Sequence, residues 1–286
     1  MSRVAVVTDS SADLAPAVAA AAGLVVVPLF IRFGAEEFRV GVDLTTEQFW
    51  ARMLAPDAPF PSTAAPSPGT FQQVFETCFA DGADAIVCPV IGSKISATFQ
   101  SATLAAGALP DREIHVIDSG STSMSTGFAA LLASELAAAG TPAAEIAAAV
   151  RARLADIDLY VAVDTLEYLK KGGRLSPARA AIGTVLSVKP IISVRDGIVV
   201  MAERPRTRAK ARERLIELIT ERPVERLAII HTPSSSREEV QAFRDALVAR
   251  LPGGIDPAMV SIGLLGATTG PHLGPGLMGA AFLRRP

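Results

Sequence analysis

The chain has 286 residues, of which 50% are hydrophobic, 20% charged and 5% aromatic, and its formal net charge is −2. A chain of this length buries about three quarters of the surface that it exposes when unfolded, so it needs no disulfide or metal ion to fold. Half-apolar content excludes a disordered protein, and the near-neutral charge argues against a general nucleic-acid binder, whose domains are usually strongly basic.

Short apolar runs alternate with helical stretches through the first half of the chain. The expected strands are 4–7, 24–30, 85–90 and 114–117. The expected helices run from a polar turn at 8–11 to about residue 22, from 45 or 46 to about 54, and over 68–80, 95–109, 123–139 and 142–155. Residues 30–42 predict a small hairpin around Gly34, and the proline-rich passage 56–68 predicts an ordered loop or a linker. This alternation indicates a parallel α/β/α sandwich.

The pattern changes after Leu159. The expected strands are now 159–163, 189–194, 198–202, 227–230 and 259–264, and the expected helices are 207–221 and 235–250. Asp196 and Gly197 join the second and third of these strands, and this dipeptide is typical of a tight hairpin. A hairpin that shares its part of the chain with helices indicates a second domain of α+β type. We place the boundary near Ile157, so the predicted domains are 1–157 and 158–286.

The sequence carries no clear signal for secretion, membrane insertion or metal binding. The first apolar run has four residues before the polar turn, too few for the core of a secretory signal. The uncharged stretch 14–31 contains two prolines and a glycine, so a helix followed by a strand explains it better than a membrane span. Cys78 and Cys88 form no CxxC motif and the histidines stand far apart, so we predict no metal site, no cofactor and a core position for both cysteines. We expect a soluble, cytoplasmic protein without stable membrane insertion.

Four loops at strand ends are rich in hydroxyl groups. They are 8–11, 61–63, 92–98 and 118–123. Each loop alone is explained by the capping of a helix, but loops past the carboxyl ends of parallel strands also line the ligand crevice of an open sheet. Together they predict a neutral, donor-rich site for a carboxylate or a phosphate.

Three glycines near the end of the chain, Gly274, Gly276 and Gly279, match a dinucleotide-binding fingerprint only as a string. A true fingerprint opens a helix early in a βαβ unit and has an acidic residue about 20 positions later. Only seven residues follow Gly279. We therefore interpret these glycines as points where the backbone closely approaches another strand or a ligand.

Several segments resemble the signature motifs of the DegV family. They are TDSSADL at 8–14, PSTAAPSPG at 61–69, SKISATFQSA at 93–102, DTLEYLKKGGRL at 164–175, KPI at 189–191 and HLGPG at 272–276. Ala97 and Phe99 stand where the family commonly has glycine and tyrosine, and 64–65 lack its usual polar residue. The matches span residues 8–276, which is essentially the whole chain.

The resemblance implies a fatty-acid-binding protein that encloses one long-chain fatty acid in a lipid tunnel between two α/β domains. Such proteins are the non-catalytic binding subunit of the bacterial fatty-acid kinase, and they present the carboxylate to an ATP-binding subunit. Carried over by motif, the residues that contact the carboxylate are Thr63, Ser96 and His272. The supporting residues are Ser62, Ser93, Thr98 and Gly274. The residues that face the kinase subunit are Arg174 and Arg204 or Arg206.

An enzyme that acts on a small carboxylated or phosphorylated substrate in the same crevice is the alternative interpretation. No hydroxyl stands beside a general base that can be recognised from the sequence. Asp164 and Glu167 are candidate catalytic acids, but near a helix start they serve equally well as cap and dipole partners, which we favour. A lone histidine such as His272 is more often structural than a ligand, but its flanking prolines and glycines together with the motif match favour binding.

Overall fold

Three β-sheets organise residues 3–175 and 188–286, the part of the chain that the computed structural model describes. The strands are β1 (Val4–Asp9), β2 (Leu24–Val27), β3 (Phe30–Phe33), β4 (Glu36–Arg39), β5 (Ser62–Ala64), β6 (Ala85–Val90), β7 (Glu113–Asp118), β8 (Ile157–Ala162), β9 (Ile191–Arg195), β10 (Ile198–Glu203), β11 (Val224–His231), β12 (Val260–Leu264) and β13 (Met278–Arg284). The helices are α1 (Pro16–Ala21), α2 (Thr46–Met53), α3 (Pro68–Ala80), α4 (Thr98–Gly107), α5 (Met124–Ala138), α6 (Ala143–Arg153), α7 (Glu167–Lys171), α8 (Arg208–Ile219), α9 (Arg237–Arg250) and α10 (Gly270–Leu273).

The first sheet, in the order β2-β1-β6-β7, is parallel throughout and lies between two layers of helices. Every residue of β6 is buried, as a central parallel strand covered on both faces requires. α3 and α4 cover one face through a cluster that contains Phe71, Cys78 and Cys88, and α5 and α6 cover the other face. The predicted parallel α/β/α sandwich is confirmed, and both cysteines are buried and free.

The second sheet has six strands in the order β10-β9-β8-β13-β11-β12, and its pairs are antiparallel except for β11 with β12. Residues of β8 alternate between its two faces, as the period of a strand demands. Tyr160 packs with Leu215 and Phe243 beneath α8 and α9, whereas Leu159 and Val161 face the first half of the chain. This sheet with helices on one face confirms the predicted α+β character of the second half.

β13 is the main element that the sequence does not predict. It occupies a central place in the second sheet, between β8 and β11. It has no β-branched residue and one aromatic residue, Phe282, so its strand signal is weak. Gly279 is required there, because a Cβ at position 279 would overlap Tyr160 O on β8. The interpretation of Gly279 as a point of close backbone approach is confirmed.

Two predicted elements near the N-terminus are shorter or divided in the structure, and a third contains a strand. Asp9 caps a 3-10 turn (Ser10–Ala12), and Asp13 then adopts a left-handed conformation with φ 52°, so the helix begins only at Pro16. The strand expected over 24–30 divides near Pro28 into β2 and β3, which belong to different sheets. The passage 56–68 is ordered and contains β5. In the first two cases a left-handed residue or a proline interrupts a pattern that appears continuous in the sequence.

The third sheet, in the order β4-β3-β5, confirms the hairpin predicted over 30–42 and packs against the second sheet. α2, which follows this hairpin, inserts Phe49 and Trp50 into the same core, and Trp50 Nε1 donates to Leu265 O at 2.8 Å. Residues 31–50 therefore share a core with residues 159–283, although they lie in the first half of the chain. The domain boundary near Ile157, the residue that starts β8, stays a prediction.

The close approach of β13 to β8 leads to a stability prediction. Gly279→Ala forces a methyl group into the backbone of β8, and we expect a loss of about 1–3 kcal/mol or more in the free energy of unfolding, because the strands must separate. Gly263→Ala on the edge strand β12 is the matched control, since a Cβ there has no neighbour within 4 Å. Urea unfolding followed by circular dichroism measures both. Equal stability of the two variants would contradict the strand pairing.

Candidate functional site

A cavity lies between the loops of the first half and the second sheet. Its aliphatic lining consists of Leu29, Ile91, Ile95, Leu159, Val161, Leu169, Ile192, Val194, Val199 and Leu273. Its polar lining consists of Thr63, Ser96, Thr122, Arg174, Ser193, Thr268, Thr269 and His272. The cavity therefore combines an apolar wall with hydroxyl groups, one imidazole and one guanidinium among its described lining residues.

Five of the ten aliphatic lining residues lie on one face of the second sheet. Strand alternation turns Leu159 and Val161 of β8 and Ile192 of β9 toward the cavity, while Tyr160 and Ile191 turn to the opposite face. The β9–β10 hairpin extends this wall, and its tip, Asp196 and Gly197, has positive φ at both residues as a tight turn requires. The predicted hairpin dipeptide is confirmed.

Thr63 and His272 meet at the polar side of the cavity, although 209 positions separate them. Thr63 Oγ1 lies 3.1 Å from His272 Nε2. Thr63 is the middle residue of β5 and pairs with Ile31 of β3. His272 lies on α10, the short helix that precedes β13. The other ring nitrogen, Nδ1, is buried and has no hydrogen-bond partner among the described residues. This nitrogen packs against the backbone of Gly172, where a Cβ would overlap it.

The charge of His272 is set by its surroundings. Burial, reinforced by the nearby charge of Arg174, lowers the pKa of His272 to about 4. The imidazole is therefore neutral at pH 7 and offers one donor and one acceptor.

Ser96 lies on the loop between β6 and α4. Its Oγ is 2.9 Å from Thr98 Oγ1, and Thr98 N donates to the same oxygen at 3.3 Å. Arg174 reaches this loop from the second half of the chain, because its Nε donates to Ile95 O at 3.3 Å and its Nη1 donates to Gly172 O at 2.8 Å. Arg174 thus lines the cavity with Ser96, where the motif resemblance had suggested only a residue facing a partner.

Two motif segments, 164–174 and 272–276, pack against each other. Their contacts fix the position of His272, which is the first residue of the second segment. A Cβ at Gly172 would overlap His272 Nδ1, one at Gly274 would overlap the Tyr168 ring, and one at Gly276 would overlap Asp164 Oδ2. Gly274 and Gly276 also have φ of 69° and 85°, which favour glycine. These contacts confirm the interpretation of the glycines as points of close approach.

Asp164 is an ion-pair residue in the structure and not the helix cap that the sequence favours. Its Oδ1 accepts from Lys189 Nζ at 2.8 Å and from Arg208 Nε at 3.0 Å. Burial opposes its ionisation, but the hydrogen bonds from Arg208 and Lys189 outweigh burial and hold the pKa of Asp164 below its ordinary value. α7 begins at Glu167 without a side-chain cap.

The remaining predicted residues have different positions. Ser62 and Ser93 are exposed, Thr98 is buried against Ser96, and Gly274 is buried under Tyr168. Arg204 and Arg206 are exposed on the segment between β10 and α8. Sequence reasoning missed Ser193 and three of the four threonines of the polar lining: Thr122, Thr268 and Thr269. The hydroxyl-rich loop 118–123 was the signal for Thr122, and proximity to the motif at 272–276 was the signal for Thr268 and Thr269.

Two further properties concern the described residues as a group. Across 3–175 and 188–286, no three side chains of His, Cys, Asp or Glu come together in a way that could hold a metal ion. None of the helices in those ranges is both long enough and apolar enough to cross a bilayer. The chemistry that the cavity itself offers is hydrogen bonding to an anion or a polar group, beside an apolar wall.

The chain is similar in sequence and fold to known proteins. A family model described as an uncharacterised protein of the DegV family matches residues 3–285. A DegV domain-containing protein from Streptomyces coelicolor is 35% identical over 290 residues, covering 100% of both chains. A DegV family protein from Thermus thermophilus, described with fatty acid binding, superposes with a TM-score of 0.88 at 31% identity, over 99% of this chain and 100% of its own. DegV from Bacillus subtilis, described as a fatty acid binding protein, has the same TM-score and identity over 100% of both chains.

The depressed pKa of His272 predicts a pH dependence of stability. Between its ordinary value of 6.5 and about 4, the unfolded chain takes up a proton that the folded protein excludes. The free energy of unfolding should therefore fall by up to about 3 kcal/mol as the pH is lowered through this window. His272→Gln removes this contribution, so the difference between wild type and variant isolates it from other titrating groups.

Urea unfolding at intervals from pH 4 to 7 measures the difference, and nitrogen chemical shifts of the imidazole report its titration directly. The same pH slope in both proteins, or an imidazole that titrates near pH 6.5, would contradict the assignment.

Proposed function

This chain belongs to the DegV family, and from that premise we propose that it binds one long-chain fatty acid in the cavity between its first half and the second sheet. The observation that carries the proposal is the combination of a continuous aliphatic wall with a hydroxyl–imidazole cluster in one cavity. Each buried methylene contributes about 0.8 kcal/mol, so an acyl chain supplies affinity without charged contacts. The polar cluster then needs only to orient the head group. In this proposal the enclosed tail occupies a lipid tunnel.

The carboxylate in this proposal is held by Thr63, Ser96 and His272. All three line the cavity, and a neutral imidazole can donate one hydrogen bond to a carboxylate oxygen. Neutral donors bind an anion without adding a full buried counter-charge, and Arg174 beside them reduces the cost of burying the negative head group. Hydrogen bonds to a charged group contribute roughly 1.5–3 kcal/mol each.

One observation favours the alternative of an enzyme in the same cavity. A hydroxyl 3.1 Å from an imidazole, as in Thr63 and His272, is the geometry of a nucleophile beside its base. Two features argue against this reading. A pKa of about 4 makes His272 a weak base at neutral pH, and its Nδ1 lacks, within the described chain, the carboxylate that orients the base of a catalytic triad. Binding is therefore the better supported function.

We further propose that the protein is a non-catalytic subunit that presents the carboxylate to an ATP-binding kinase subunit in the cytoplasm, for conversion to an acyl phosphate. Arg204 and Arg206 are exposed on the segment between β10 and α8, and they suit an acidic docking surface. In this proposal Arg174 also faces the kinase subunit, because it lines the cavity and is only partly buried.

Fatty-acid binding predicts that the purified protein carries its ligand. Denaturing extraction followed by mass spectrometry should release a long-chain fatty acid in near-equal molar amount. Ser96→Ala and His272→Ala should each weaken binding of palmitic acid by about 10- to 100-fold, because each removes a hydrogen bond to a charged group. Ser261→Ala, at an exposed serine of the edge strand β12 that does not line the cavity, is the control and should bind normally.

Two results would count against this site. Protein made in a lipid-replete host that contains no lipid would favour the enzyme. Unchanged palmitate affinity in both Ser96→Ala and His272→Ala would reject the carboxylate assignment while leaving lipid binding intact.

The docking surface yields a separate prediction. Arg206→Glu should slow acyl-phosphate formation in a reconstituted kinase reaction without changing fatty-acid affinity, since the residue is exposed and does not line the cavity. The effect should shrink as salt is raised, because exposed charges are screened over about 8–10 Å at physiological ionic strength. Arg237→Glu, at an exposed arginine at the start of α9, is the control. If Arg204→Glu and Arg206→Glu both leave the rate unchanged at low salt, the kinase binds elsewhere.

A further inference from the structure

We propose that Asp164 is a positioning residue for the polar side of the cavity: without contacting the ligand, it anchors the turn that follows His272 and so keeps the imidazole at Thr63. This inference deepens the proposed function and rests on it. Asp164 stands just past the end of β8, whereas the cavity is lined by Val161 on that strand and by His272. Asp164 itself is not among the residues that line the cavity.

The anchor is the contact between Asp164 and Gly276. The carboxylate packs so closely on the glycine that a Cβ at position 276 would overlap Oδ2. On the other side of the turn, Gly276 N donates to Thr232 Oγ1 at 3.0 Å, and Thr232 N donates to Leu277 O at 3.2 Å. The turn is therefore held between an aspartate that follows β8 and a threonine that follows β11.

Two cations keep Asp164 in that position. Lys189 Nζ and Arg208 Nε both donate to Oδ1, at 2.8 and 3.0 Å, and Arg208 Nη2 also pairs with Oδ2. These partners come from the segment before β9 and from the first residue of α8, so the carboxylate cannot turn away from Gly276 without losing charge-assisted bonds from two directions. Three separate parts of the second half thereby converge on one carboxylate.

Gly276 is four residues from His272 along the chain, so a displacement of the turn is transmitted to the imidazole. Gly274 has φ 69° and lies under the ring of Tyr168, and the imidazole lies against Gly172. A shift of Gly276 therefore moves α10 against these contacts and lengthens the 3.1 Å separation of His272 Nε2 and Thr63 Oγ1. A hydrogen bond at that length tolerates a displacement of only about half an ångström.

A purely structural role for Asp164 predicts a different outcome. Loss of a structural brace would loosen the cavity as a whole and weaken binding of any ligand with an acyl chain. Loss of a positioning residue would weaken ligands with a carboxylate most, because a hydrogen bond from His272 to a charged group is stronger than one to a neutral hydroxyl. Palmitic acid and hexadecanol have the same chain and differ in the head group, so the ratio of their affinities distinguishes the two roles.

The test compares Asp164→Asn with Glu203→Gln in the full chain. Glu203 is the matched control, because it is also a partly buried carboxylate paired with an arginine, Arg214, and does not touch the turn. We expect Asp164→Asn to weaken palmitic acid binding about tenfold, the effect of roughly one hydrogen bond to a charged group. Hexadecanol affinity should change less than about twofold. Glu203→Gln should change neither.

A double-mutant cycle tests the route of the effect. If Asp164 acts through His272, adding Asp164→Asn to His272→Gln should cost little further palmitate affinity. Nitrogen chemical shifts of the His272 imidazole should change in Asp164→Asn and not in Glu203→Gln. Should Asp164→Asn fail to fold, Arg208→Gln is the milder variant, since its side chain is 69% exposed and Lys189 remains. It should shift affinity and ring resonances in the same direction by a smaller amount.

Three results would overturn the inference: unchanged palmitate affinity in Asp164→Asn, an equal loss for palmitic acid and hexadecanol, or additive effects of Asp164→Asn and His272→Gln. Failure of the proposed function is a separate result, because wild-type protein would then bind neither ligand. In that case the imidazole resonances still decide whether Asp164 positions His272.

Discussion

The polar side of the cavity depends on the contact between Thr63 and His272, because it joins parts of the molecule that belong to different sheets. Thr63 stands on β5 in the small third sheet, and His272 stands on a four-residue helix that leads into β13. Neither element is stable alone. β5 is held by pairing with β3, and α10 is held by glycine contacts with segment 164–174. The site therefore exists only when the third sheet and the second sheet pack into their common core.

That common core explains why the cavity has the composition it does. The face of the second sheet that meets the first half is covered partly by the third sheet and by Phe49, Trp50 and Phe128. Where these elements stop, the aliphatic face of β8 and β9 remains and becomes the cavity wall. The loops of the first half complete it with hydroxyl groups. Most of the apolar lining thus comes from the second half of the chain, whereas the polar lining combines residues of both halves.

Electrostatics keeps the polar cluster almost neutral. Burial removes the charge of His272 at neutral pH, and the Asp164 carboxylate is engaged by cations at the turn, away from the cavity lining. The positive charge at the cavity lining is that of Arg174, whose guanidinium donates to backbone carbonyl oxygens. A site of this kind can accept an anion with little repulsion and does not carry the strong field that would favour small, highly charged ligands.

The amino-acid sequence by itself determined the elements whose cause lies within a few residues. The helix that starts at Ser67-Pro68, the hairpin at Asp196-Gly197 and the alternation of strands and helices were all predicted, because caps, turns and periodicity depend on near neighbours. The motif match likewise identified Thr63, Ser96 and His272, which line one cavity. Only the tertiary structure decided the central place of β13, the division of 24–30 between two sheets, the partners of Asp164 and the position of Arg174 at the cavity. Each of these depends on burial and pairing between residues tens to hundreds of positions apart. The local sequence around a residue does not determine which distant strand or charged side chain it will contact.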